Sequence, residues 1–190
     1  LAISGGWTPM VHMHTQSGGK LEFREEDQVF VPNEKNENQI NVGSCNGDFE
    51  LEEIVKNTNN KIKKFLNVNE TDFDRSSVLC SKELEKKNIW LLPNTISEGK
   101  TKSFLDFQND STAKDIKLAL REGFKSIEHV KRYTTTGMAT DQGKLSNMHA
   151  LGIIADTAGV KMGALGTTTF RPPFTPLTFG ALVGRNVGKF

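Results

Sequence analysis

At 190 residues the chain has room for one domain or two small ones, and its 24 basic and 23 acidic side chains leave it close to neutral. That balance excludes nucleic acid or an anionic membrane surface as the main partner. No apolar run approaches the roughly 18 residues of a membrane-spanning helix. The two cysteines, Cys45 and Cys80, form no CxxC pair, which fits free thiols in a reducing cytoplasm better than a disulfide framework. The first residues, LAISGG, have no basic start, long apolar stretch or cleavage site, so they are not read as a signal peptide. With no initiator Met and no closing element after Gly188-Lys189-Phe190, the chain reads as a piece of something longer.

Residues 2–9, AISGGWTP, predict a short strand running into a Gly-Gly turn. The turn is not a full GxGxxG, so it is weak evidence of phosphate binding. His12 and His14 form an HxH. On a strand they would face the same way, but no third donor stands at a familiar spacing, and a structural role is favoured over a metal. QVFVP at 28–32 and QINVG at 39–43 predict further strands with a polar loop between them. After a turn at Ser44–Gly47, Phe49, Leu51, Ile54, Val55, Ile62, Phe65 and Leu66 give a helical apolar stripe over 48–66. A strand, a glycine turn and a helix start together gather free backbone N–H groups suited to an anion or nucleotide.

Residues 67–101 are polar and aperiodic and predict a connector, with Trp90 in IWLLP anchoring it on a neighbour. A compact helical unit follows over 102–160. Phe104-Leu105-Asp106-Phe107 opens it, and Thr112 with Asp115 resembles a capping box for a helix over 113–122 that ends at Gly123. Ser126 is placed to cap a second helix over 127–133, which TTTG at 134–137 breaks. A third helix is expected from near Asp141 to about Thr157, with Leu145, Met148, Ile153 and Ile154 inward and Gly159 beyond its end. Over 161–190, Pro172, Pro173 and Pro176 favour an extended, polyproline-like path along a partner surface.

Asp106 and Gln108, then Asp141 and Ser146, fall at a CxC…CxxxxC spacing with 32 residues between the pairs. This spacing, the strand-like Phe104-Leu105 and the Asp-Gln-Gly-Lys at 141–144 resemble the two-iron–two-sulfur module of the bacterioferritin-associated-ferredoxin type. Such a cluster needs thiolates or occasionally imidazole. Asp, Gln, Asp and Ser are hard oxygen donors at best, so the expectation is the fold without an iron–sulfur cluster and no metal. A satisfied hydrogen-bond cluster is favoured over a hard-cation site.

KRYTTTGMATDQGKLSN at 131–147 and GTTTFRPPFTP at 166–176 are similar to the α subunit of heterotetrameric sarcosine oxidase. SGGWTP at 4–9 and VGSCNG at 42–47 resemble the end of that subunit's dinucleotide-binding domain. The resemblance runs over nearly the whole chain and is poor over 67–101. It implies an α+β fold in four parts. Residues 1–66 would be the C-terminal part of an FAD/NAD-binding-type domain and 67–101 a connector. Residues 102–160 would be the cluster-less helical module, and 161–190 an extended linker into an aminomethyltransferase-like domain absent here. It implies oxidative demethylation of sarcosine to glycine, with electrons passed to oxygen to give hydrogen peroxide and the methyl carbon leaving as formaldehyde or going to tetrahydrofolate. It further implies NAD on this subunit, FMN at the interface with a β subunit, FAD and tetrahydrofolate elsewhere in the complex, and a cytoplasmic hetero-oligomer. A non-catalytic assembly module of a related amine dehydrogenase with several subunits is the alternative. By position, Gly43, Ser44, Phe49 and Leu51 are the NAD candidates. Lys131, Arg132, Thr134, Thr135 and Lys144, with Thr168, Thr169 and Arg171 as a second set, are the candidates for the FMN phosphate, since cations and hydroxyls suit a dianion. No catalytic residue is assigned to this segment.

Overall fold

The computed structural model describes residues 7–33, 39–68, 88–92, 100–171, 175 and 177–185. The chain is α+β and divides into two compact units, residues 1–89 and 90–190.

The first unit begins with α1 (His12–Gln16) and a hairpin of β1 (Leu21–Arg24) and β2 (Val29–Pro32), paired antiparallel with Leu21 opposite Pro32. β2 is VFVP and buried throughout, whereas LEFR in β1 is partly exposed. That contrast follows from a continuous apolar run against an interrupted one. A 3-10 turn, Gly43–Asn46, ends at Gly47 with φ 80°. A Cβ on Gly47 would lie 2.7 Å from Val31 Cγ1, so the turn seats against β2 only as glycine. The long helix α2 (Leu51–Leu66) follows.

Several expectations need correction here. The HxH lies on α1, not on a strand. Residues two apart on a helix point about 200° away from each other, so the imidazoles share no face. His14 is fully used by the protein: its Nε2–H donates to the Lys20 carbonyl and its Nδ1 accepts from Asn41 Nδ2, both at 3.0 Å. Residues 39–42 form no strand. Gln39 accepts from Ser17 and donates to Asn41, while Lys61 donates to the Asn41 carbonyl at 3.1 Å. A side chain thus takes the Asn41 carbonyl, a backbone acceptor that a ladder would use. α2 starts at Leu51, three residues later than expected, because Asp48 is buried below it and accepts from Asn46 and Asn57. The α2 stripe exists but buries nothing: Leu51 is 48% and Phe65 53% exposed. The strand expected over residues 2–6 lies outside the described residues.

The second unit opens with a short antiparallel pair, β3 (Phe104–Asp106) and β4 (Ser111–Thr112), joined by the turn 107–110. α3 (Ala113–Arg121) starts on the expected capping box: Thr112 N–H donates to Asp115 at 2.8 Å, and Asp115 N–H returns to Thr112 Oγ1. α4 (Ile127–Thr134) follows, although Ser126 occupies its N-cap without a side-chain bond. α5 (Asn147–Ala158) ends at Gly159, φ 66°, as expected. Its start is six residues later than Asp141, because Gln142 and Gly143 have φ 52° and 76° and interrupt a helix there. Leu145 is 73% exposed and not inward, while residues 150–155 of α5 are buried on all sides.

The core joins Leu105, Ala113, Ile116, Ala119 and Val130 to Ala150, Ile153 and Ile154 of α5. Trp90 packs on this core as the connector's expected anchor, its ring lying where a Cβ on Gly152 would come within 2.3 Å. The extended path expected after 160 is corrected by α6 (Met162–Leu165) and α7 (Phe179–Val183). Proline bars helix at and just before itself, which leaves MGAL and FGALV free to turn, the latter capped by Thr178. Pro172, Pro173 and Pro176 lie outside the described residues.

Candidate functional site

The stretch between α4 and α5 carries successive left-handed residues: Thr135 (φ 59°), Gly137 (71°), Gln142 (52°) and Gly143 (76°). A non-glycine residue in this region needs its surroundings to hold it there. Three sets of bonds do so. Both oxygens of buried Asp106 are occupied: Oδ1 accepts Gln108 N–H at 2.9 Å and Asn109 N–H at 3.1 Å, and Oδ2 accepts Gly137 N–H at 2.7 Å. The turn 107–110 adds Asn109 Nδ2 to the Thr135 carbonyl at 2.9 Å, and Thr140 Oγ1 donates to Gln108 Oε1 at 2.9 Å. From the other side, Asn147 fits where a Cβ on Gly137 or Gly143 would lie 2.2 or 2.1 Å from its Oδ1. Its Nδ2 donates to Thr168 at 3.2 Å.

The loop so held forms one wall of an open cleft of about 310 Å³, lined by Glu128, Lys131, Arg132, Gly137, Met138, Gln142 and Arg171. Three cations face one carboxylate in it. Burial lowers the pKa of Lys131 below the ordinary lysine value; Glu128 opposes this, and Arg171 and Arg132 lower it further. The cleft therefore carries an excess of positive charge that an anion would relieve.

Of the phosphate candidates, Lys131, Arg132 and Arg171 are brought together. Thr134 donates its hydroxyl to the Val130 carbonyl at 2.8 Å, and Thr135 is exposed with its hydroxyl on the Thr134 carbonyl. Thr168 is buried and bonded to Asn147, which anchors the segment leading to Arg171. Thr169 is exposed, Lys144 is half-buried, and neither lines the cleft. Gly43, Ser44, Phe49 and Leu51 lie in the first unit, around the 3-10 turn and the start of α2, beside the buried Asp48 carboxylate.

Cleft residues that the sequence did not single out are Glu128, Gly137, Met138 and Gln142. The glycine and the TTTG break were the available signal for Gly137. Of the cluster-spaced positions, Asp106 and Gln108 are spent on the loop as described, and Asp141 accepts Gly143 N–H at 3.3 Å. Ser146 is buried, with no hydrogen-bond partner for its hydroxyl among the described residues. Oxygen and amide donors do not fit an iron–sulfur cluster.

Residues 100–185 match the family model of the sarcosine oxidase A3 domain. Over 99% of its length the chain is 38% identical to the sarcosine oxidase α subunit of Rhizobium meliloti (strain 1021), of which it covers 19%. The chain belongs to the sarcosine oxidase α-subunit family. A second α subunit, from Corynebacterium sp. (strain U-96), is 34% identical over the whole chain, which spans 20% of it. The chain thus spans about a fifth of the curated α subunits it matches. An opine oxidase subunit of Rhizobium meliloti (strain 1021) is 35% identical over 36% of the chain and 15% of its own length. The fold is shared with L-proline dehydrogenase from P. horikoshii, at a TM-score of 0.64 and 19% identity, over 94% of this chain and 38% of that one. The sarcosine oxidase A3 segment includes the clamped loop and Arg171, and so the whole lining of the cleft.

Proposed function

We propose that this chain is a scaffolding part of a flavin-dependent sarcosine oxidase α subunit, and that its cleft holds the phosphate of an FMN shared with a β subunit. The observation that carries this reading is the convergence of Lys131, Arg132 and Arg171 on one cleft inside the A3 segment. A guanidinium offers a planar fork to phosphate oxygens and an ammonium a compact charge, and both are stronger against an anion than neutral donors. In this reading the segment binds and orients, and the flavin supplies the redox chemistry when bound. The whole assembly would demethylate sarcosine oxidatively to glycine, pass the electrons to oxygen to yield hydrogen peroxide, and release the methyl carbon as formaldehyde or hand it to tetrahydrofolate, with FAD elsewhere in the complex. It would be a cytoplasmic hetero-oligomer.

The first unit is proposed as the end of an NAD-binding domain, with Gly43, Ser44, Phe49 and Leu51 near the nucleotide. The glycine turn leading into α2 supports this, and the Asp48 carboxylate beside it limits the anion that could approach. Residues 102–160 are proposed as a ferredoxin-like module that keeps the fold without the cluster, and the segment after 160 as the lead into an aminomethyltransferase-like domain. The alternative, a non-catalytic assembly module of a related amine dehydrogenase, differs in predicting that the cleft cations are dispensable for flavin.

The deciding experiment replaces Lys131, Arg132 and Arg171 by alanine, one at a time, in the complete α subunit together with its partners. Released FMN is then measured by fluorescence. Each loss of a charge-assisted contact is expected to weaken retention by on the order of 10-fold. Unchanged retention in all three variants would sink the phosphate assignment.

A further inference from the structure

We infer that Asp106 is the positioning residue of the cleft, a side chain that touches no ligand but sets the wall against which one binds. This rests on the reading of the cleft as a flavin-phosphate site. Asp106 is 3% exposed and joins segments 31 residues apart in sequence. Oδ1 closes the turn 107–110 on itself through the N–H groups of Gln108 and Asn109, and Oδ2 reaches across to the N–H of Gly137, which lines the cleft, while also taking a longer bond of 3.4 Å from Asn109 Nδ2. The neighbouring bonds act in the same direction: Asn109 to the Thr135 carbonyl, Ser111 Oγ to the Thr134 carbonyl at 2.6 Å, and Thr140 to Gln108. The β3–β4 turn therefore grips the α4–α5 loop along residues 134–140, and Lys131 and Arg132 sit on the last turn of α4 just before that grip.

The backbone N–H groups of the turn fall on Oδ1 and that of Gly137 on Oδ2, which makes a selective test available. In Asp106→Asn the amide oxygen can keep the turn 107–110, as aspartate and asparagine both do in such turns. The amide NH₂ then faces Gly137 N–H, donor against donor, and the cross-link is lost together with the 3.4 Å bond from Asn109 Nδ2, while both backbone bonds of the turn remain. Leaving a buried N–H unpaired is costly, so the loop should open locally while the α3–α5 core stays closed.

The experiment uses the complete α subunit in its assembled complex. In Asp106→Asn, amide hydrogen exchange over 134–143 should accelerate by about 10-fold or more, while exchange in α3 and α5 stays as in the parent. FMN retention should fall, and its loss should be less than additive with that of Arg171→Ala, since both act on one wall. Gln108→Ala, which removes one exposed bond of the grip and keeps Asp106, should lower retention less than Asp106→Asn does. Unaltered exchange over 134–143 overturns the positioning role, whatever the ligand. If exchange rises and Arg171→Ala weakens FMN retention while Asp106→Asn does not, the clamp exists but does not position the site, and the inference fails while the phosphate reading stands. If exchange rises and no cleft variant affects FMN, the phosphate reading fails and the positioning role with it. Equal acceleration in α3 and α5 shows a general structural role and also overturns it.

Discussion

Lys131 shows how a single side chain can read its surroundings. Its pKa is lowered first by burial, with Glu128 opposing and Arg171 and Arg132 adding to the effect. In the folded chain it therefore gives up its proton at a lower pH than in the unfolded chain. Between those two pH values the unfolded state binds more protons, so the penalty this residue places on folding is relieved as pH rises through the folded value. Anion binding runs the other way. A bound phosphate favours the ammonium, so binding takes up a proton in that window and weakens as pH rises. FMN retention measured against pH should fall on the alkaline side in the parent complex, and in Lys131→Arg the fall should move to higher pH, because a guanidinium stays charged. A profile identical in the two would remove Lys131 from the site. Arg132 and Lys131 were legible in the sequence as cations near a turn. What was not legible is that the Thr134 hydroxyl, equally plausible as a donor to phosphate, is spent on the Val130 carbonyl, and that Thr168 is buried and accepts from Asn147 Nδ2. A hydroxyl's partner is decided by the fold, and a short polar side chain next to a helix end usually finds the backbone first.

At the scale of elements, local chemistry was read well where the signal was a cap or a glycine stop. The Thr112–Asp115 box and the Gly159 terminus stand where the sequence put them. Periodicity misled at the start of α5, because Leu145 continues an apolar pattern that the left-handed Gln142 and Gly143 have already broken. It also misled over 39–43, where no strand forms and the Asn41 carbonyl accepts from Lys61 in place of a neighbouring strand. Gly152 is the reverse case, a mid-helix glycine that propensity alone would replace. An alanine there would gain about 1 kcal/mol in helix propensity. Its Cβ would, however, fall 2.3 Å from the Trp90 ring, against which overpacking costs typically about 1–3 kcal/mol. Gly152→Ala should therefore lower stability in a denaturant titration, and Gly152→Ala combined with Trp90→Leu should recover part of the loss. A gain in stability from the single change would contradict the contact.

At the scale of the molecule, the two units differ in how they keep their helices. The second buries α5 on all sides within a core shared by α3, α4 and Trp90. The first holds α2 by its N-terminal half, through the Gly43–Asn46 turn and Asp48 below it, with Leu51, Val55, Ile62, Phe65 and Leu66 exposed along it. The α2 stripe was visible in the sequence, but a stripe states only that a face is apolar and not what it meets. Helix stability in proteins comes mainly from burying such a face. Amide exchange on the 190-residue chain should therefore be faster in α2 than in α5 by orders of magnitude. Equal protection would mean that α2 is covered within this chain.

Asp106 also bears on the conditions the site can withstand. A thiolate-held metal at the same spacing would tie the cleft's shape to an oxidation state and to a supply of iron. A carboxylate held by backbone amides has no electron to lose and nothing for a chelator to strip. The wall beside Lys131 and Arg132 is thus fixed by carboxylate–amide bonds that contain no thiolate and no metal ion for oxidants, reductants or metal starvation to act on.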